Sequence, residues 1–117
     1  DEQIKIIAKR NGVIGINAYK NFVGVKEGED PIKKLADHIE YIVNLVGAKH
    51  VGYGFDLCNN FYNSELKLKF EPRNSDGLNS HSEAVALTEE LLRRGISAED
   101  AKLIIGGNFY RIYSDIL

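Results

Sequence analysis

Two short apolar runs, Val13-Ile14-Gly15-Ile16-Asn17-Ala18 and His50-Val51-Gly52-Tyr53-Gly54-Phe55, limit what this chain can become. Each is brief, rich in branched or aromatic residues and largely free of polar alternation, which suits a strand buried on both faces. Between them, Asp30-Pro31 sets an N-cap before a proline at the first helical position. Ile32, Leu35, Ala36, Ile39, Ile42, Val43 and Val46 then recur at three-and-four spacing until Gly47, the pattern of an amphipathic helix. Strand, loop, helix, strand is a βαβ unit with parallel strands. Parallel strands need covered faces and paired edges, and two strands cannot close a barrel. The expectation is a piece of a larger parallel α/β fold, or a chain that completes its sheet with another.

The remaining elements are weaker. Ile4, Ile7 and Ala8 fall at helical spacing before Asn11-Gly12, a usual stop because both residues tolerate positive φ. Residues 19–29 read as a loop. The polar stretch from Leu57 to Ser82 is long for a compact domain, and such loops are more often functional than idle. Within it, Leu66, Leu68 and Phe70 alternate with Lys67 and Lys69, as in a surface ribbon. A helix is predicted over Glu83 to Arg94 with Gly95 as its stop, then a start capped by Ser97, with Asp100 three residues on. A final helix over Asn108 to Ile116 follows a break at Gly106-Gly107, with Asn108 as its N-cap. All 117 residues, 1–117, read as part of one domain.

Charge and cysteine content exclude several functions. Fifteen basic against 17 acidic residues give a net charge of -2, with no basic footprint for a nucleic-acid backbone or an anionic membrane surface. The single cysteine, Cys58, excludes an intrachain disulfide, and three histidines draw no Cys/His zinc framework. A reducing, cytoplasmic setting is the expectation. The start, Asp1 to Arg10, lacks the apolar centre of a signal peptide, and no apolar run is long enough to span a bilayer.

Alternation along the strands shows where chemistry could sit. Val13, Gly15 and Asn17 share one face, as do Gly52, Gly54 and Asp56 in the second run. If the bulky residues pack on outer helices, Asn17 and Asp56 point inward at the carboxyl ends of their strands, where parallel α/β folds bind and react ligands. The inward glycines are expected to leave room there. Asp56 could be an ordinary cap or turn residue, and Asn17 and Tyr19 could be anchors for their loop. His38, beside Asp37, reads as solvated or ion-paired, and His50 lies at the wrong end of its strand for a site. His81 reads as exposed, and Cys58 as a small filler.

Five strings in order resemble the carboxyl-terminal part of the membrane (renal) dipeptidase family, in the amidohydrolase superfamily. They are Gly12-Val-Ile-Gly-Ile-Asn-Ala-Tyr19, Ala36-Asp-His-Ile-Glu-Tyr-Ile42, Val46-Gly-Ala-Lys-His-Val-Gly-Tyr-Gly-Phe-Asp56, Leu87-Thr-Glu-Glu-Leu-Leu-Arg-Arg-Gly95 and Gly106-Gly-Asn-Phe-Tyr-Arg111. The resemblance implies a (β/α)8 barrel of the TIM type, with this chain supplying the last two βα units plus terminal helices. It implies hydrolysis of dipeptides at a two-zinc centre whose ligands, a His-x-Asp pair, a bridging Glu and two further histidines, lie upstream of the matched region. His38, His50 and His81 match none of them, so no metal ligand and no zinc is expected within this chain, which alone should be inactive. Asp56 matches the aspartate that shuttles a proton from the attacking water to the leaving amine. Tyr19, with Asn17, matches a strand end that lines the substrate pocket, and Asn108 and Arg111 match a closing helix of structural role. The implied partners are a dipeptide and the amino-terminal part of the barrel. This chain departs from the family at Asp56-Leu57-Cys58-Asn59, where Asp-Phe-Asp-Gly is common, and in an expanded loop from Asn60 to Asp76. The rival expectations are a non-catalytic half-barrel used for binding or assembly, and a half-barrel that pairs with copies of itself through exposed strand edges, a homo-oligomer.

Overall fold

The computed structural model describes residues 1–57, 78 and 80–117. The elements run α1 (Glu2–Lys9), β1 (Ile14–Ile16), α2 (Lys20–Val23), α3 (Pro31–Val46), a 3₁₀ turn (Ala48–His50), β2 (Val51–Tyr53), a second 3₁₀ turn (His81–Glu83), α4 (Ala84–Arg93), α5 (Ala98–Lys102), a π-helical turn (Leu103–Gly107) and α6 (Asn108–Ile116). The two strands pair in parallel, with Ile14 opposite Val51, Gly15 opposite Gly52 and Ile16 opposite Tyr53. Among the described residues the sheet has only these two strands. This is a mixed helix and small-sheet arrangement, as an α/β fragment requires. The ribbon expected at Leu66 to Phe70, and Cys58, lie outside the described residues.

α3 forms for the reasons its sequence carries. The Asp30 carboxylate accepts from the Ile32 N–H at 2.9 Å and Pro31 opens the helix, while Gly47 at φ 95 ends it. Its apolar stripe of Leu35, Ala36, Ile39 and Ile42 is buried. Against it lie Ile16, Ala18, Val51 and Phe55 from the strands, with Leu87 and Leu91 from α4. Fully burying a side chain of this size contributes about 1.5–3 kcal/mol, so this layer is the main apolar source of stability.

Side chains tie α4 to the same layer. Thr88 Oγ1 donates to the Ala84 carbonyl at 2.8 Å, so the Tyr53 hydroxyl, 2.9 Å away, is the donor to Thr88. Burial pushes the Tyr53 phenol up, opposed by that hydrogen bond. Arg94, just beyond the helix, donates to Glu90 at 2.7 Å, Asp37 at 2.7 Å, Glu40 at 2.9 Å and the Lys33 carbonyl at 3.1 Å. One guanidinium thereby joins the end of α4 to α3.

Four expectations change. The strands are shorter than the apolar runs, because the second run begins in a 3₁₀ turn and both lose regular pairing near the polar residues that follow. The segment 19–29 is not all loop: α2 occupies Lys20–Val23 and stops at Gly24, φ 73. Gly106-Gly107 does not break the chain's helix but lies in a π-helical turn that runs directly into α6. Asn108 is not an N-cap. It is fully buried, and its Nδ2 donates to the carbonyls of Ala48 at 2.7 Å and Val51 at 2.8 Å. The buried amide thereby gives a partner to a carbonyl of the 3₁₀ turn and to that of the first residue of β2.

Candidate active site

The two strands place one end of the sheet under α6 and bring Asn17 and Asp56 together at the other. At the amino ends, Asn108 holds the start of β2, and Arg111 donates to the carbonyls of Asn11 at 3.0 Å and Lys49 at 3.1 Å. His50 Nδ1 lies 2.9 Å from the Gly12 carbonyl and must donate to it. His50 therefore stands at the end away from Asp56, as its place in the sequence indicates. Phe109 reaches over the glycine face, where a Cβ on Gly52 would meet its Cε2 at 2.7 Å and one on Gly15 its Cζ at 3.4 Å. The room expected beside the inward glycines is thus filled by an aromatic ring at Gly52 and Gly15, and the sequence reading missed Phe109. A run of side-chain-free positions facing one way was the available signal, since a gap of that size in a packed interior calls for a large complement.

At the carboxyl ends the main chains stay together after regular pairing stops. The Gly54 N–H donates to the Ile16 carbonyl at 3.2 Å and the Ala18 N–H to the Phe55 carbonyl at 3.1 Å. This brings Asn17 and Asp56, 39 positions apart, within reach: Asn17 Nδ2 donates to Asp56 Oδ2 at 3.3 Å. Asp56 is exposed and has φ 58, a left-handed conformation uncommon outside glycine and tolerated best by Asn and Asp. Residues held in that region cluster at functional sites.

Asn17 is half-buried, and its Oδ1 accepts from the Tyr19 N–H at 2.7 Å, a two-residue turn that starts α2. The Tyr19 hydroxyl accepts from Asn21 Nδ2 at 3.0 Å, and its ring meets Phe22 edge-on at 4.9 Å. Beside this end lies a cavity of about 120 Å³ lined by Gly15, Ile16, Asn17, Phe22, Val23 and His38. His38 Nε2 is 3.0 Å from the Val23 carbonyl, so it carries the proton and fastens α2 to α3, while the residue as a whole remains exposed, as expected. His81 is exposed on its 3₁₀ turn. The structure therefore brings Asn17, Tyr19 and Asp56 to one strand end, with His38 lining the cavity beside it.

No group of three or more His, Cys, Asp or Glu side chains among the described residues could hold a metal ion. These residues do not fit a metal centre of their own. No helix among the described residues is long and apolar enough to cross a membrane.

The family model described as Membrane dipeptidase (Peptidase family M19) matches residues 1–116. A curated relative, Dipeptidase aclJ of Aspergillus oryzae, is 29% identical over 117 residues, covering 99% of this chain and 25% of that protein. The chain spans about a quarter of the length of the relative it matches. A family match over residues 1–116, joined to a parallel strand pair that meets at Asn17 and Asp56, places this chain in the membrane dipeptidase family.

Proposed function

We propose that this chain is the carboxyl-terminal segment of a zinc-dependent dipeptidase, forming the last two βα units and terminal helices of a (β/α)8 barrel that hydrolyses the peptide bond of dipeptides. The observation that carries this reading is the junction of Asn17 and Asp56 at the carboxyl ends of parallel strands, the end where such barrels react their ligands. The unmatched sheet supports a larger barrel. Membership of a generally metal-dependent family supports zinc, and by the family resemblance the ligands of the two ions belong to the part of the protein upstream. The isolated chain is then inactive, and its first partner is that amino-terminal part. Single-cysteine composition is the basis for assigning the protein to the cytoplasm.

Within this reading the chain's own residues handle the proton and the substrate. Hydrolysis of an amide requires the attacking water to lose a proton and the leaving amine to gain one. The exposed Asp56 carboxylate takes the first and delivers it to the second, ending as it began. Tyr19 and Asn17 border the pocket in which the dipeptide lies. In the full-length protein supplied with zinc, Asp56→Asn is expected to lower kcat for dipeptide hydrolysis about 10²–10⁴-fold with the melting temperature retained. Undiminished turnover would remove Asp56 from the reaction. Absence of hydrolysis by the wild-type full-length protein would instead leave the non-catalytic binding or assembly module.

A further inference from the structure

We infer that Asn17 is a positioning residue that sets the Asp56 carboxylate and the Tyr19 segment relative to each other, a role that deepens and rests on the dipeptidase reading above. The side-chain amide has one accepting and one donating end, and the surroundings fix which is which. The Tyr19 backbone N–H can only donate, so Oδ1 must face it, at 2.7 Å. Nδ2 is thereby directed at Asp56 Oδ2, 3.3 Å away, where a donor is what a carboxylate needs.

The consequence is a link between two chain segments 39 positions apart at the point where each leaves its strand. On one side the amide defines the turn that begins α2 and presents Tyr19. On the other it ties down a carboxylate carried by backbone in the left-handed region. Asn17 thus makes one bond to each neighbour, and through these it sets the geometry that the substrate meets. Proton transfer is sensitive to donor–acceptor geometry, so loosening the carboxylate slows turnover more than binding.

The test uses the full-length enzyme with zinc and a dipeptide substrate. Asn17→Ser keeps an oxygen that can accept from the Tyr19 N–H but is too short to reach Asp56. Asn17→Asp keeps the turn as well and sets a carboxylate against a carboxylate. Both are expected to lower kcat, by up to about 100-fold, with KM within about threefold and the Tyr19 amide still protected from hydrogen exchange. Asn17→Ala, which removes both bonds, is expected to raise KM too and to expose that amide. The decisive comparison is a double-mutant cycle: on an Asp56→Asn background, Asn17→Ser should cause no further loss of kcat. Equal effects of Asn17→Ser with and without the Asp56 carboxylate would overturn the inference while leaving the dipeptidase reading intact. Full activity of Asp56→Asn would overturn the inference and the role of Asp56, whereas absence of hydrolysis by the wild type would overturn the dipeptidase reading itself.

Discussion

At the scale of single residues, the glycines of β2 make a sharp prediction because their surroundings differ. A Cβ on Gly52 would press on the Phe109 ring, whose edge can turn aside, whereas one on Gly54 would lie 2.8 Å from the Gly15 Cα and 3.1 Å from its carbonyl carbon, both backbone. Gly54→Ala is therefore expected to destabilise more than Gly52→Ala, each within about 1–3 kcal/mol by chemical denaturation, and Phe109→Leu should rescue only the Gly52 variant. Equal costs, or rescue of both, would contradict the packing described. The facing of these glycines was legible, because alternation is a property of the backbone. So were Asn17 and Asp56 as neighbours, since both follow strands that the helix between them forces to run parallel. Phe109 and Asn108 were not legible, for their partners are carbonyls and bare backbone between 57 and 94 positions away, and neither leaves a periodic mark.

Among elements, α3 was readable end to end: its cap, its proline, its apolar stripe and its glycine stop are all local signals that agree with its burial. The π-helical turn was hidden, because two glycines in sequence indicate an interruption equally well as a widened turn, and only the need to seat Asn108 decides between them. The joint between α3 and α4 carries a pH signature. Hydrogen bonds from Arg93 and Arg94 hold the Glu90 carboxyl down to about 2 from its ordinary 4.5. A carboxyl more acidic in the folded than in the unfolded chain adds stability above pH 4.5, and that stability is lost as pH falls from 4.5 to about 2. Melting temperatures measured across that window should decline in the wild type and decline less in Glu90→Gln. A parallel decline in both would assign the acid sensitivity to other groups.

For the whole molecule, the telling feature is a parallel sheet of only two described strands. The Ile16 carbonyl faces β2, so the polar groups of Gly15 face the other way, toward the edge of β1. Hydrogen exchange followed by mass spectrometry or NMR should find the Gly15 amide poorly protected in this chain by itself and well protected in the full-length protein. Equal protection in both would mean that the edge is covered from within this chain. Light scattering reads the alternative outcome, since a closed oligomer of the isolated chain would protect the same amide by pairing copies. The clasp between Arg111 and the Asn11 carbonyl joins residues 100 positions apart. During translation the guanidinium emerges from the ribosome long after the carbonyl it must meet, so the base of the strand pair stays unsealed while most of this stretch is synthesised. That interval is when the nascent polypeptide shows its apolar layer to the cell, and when a chaperone has most to offer it.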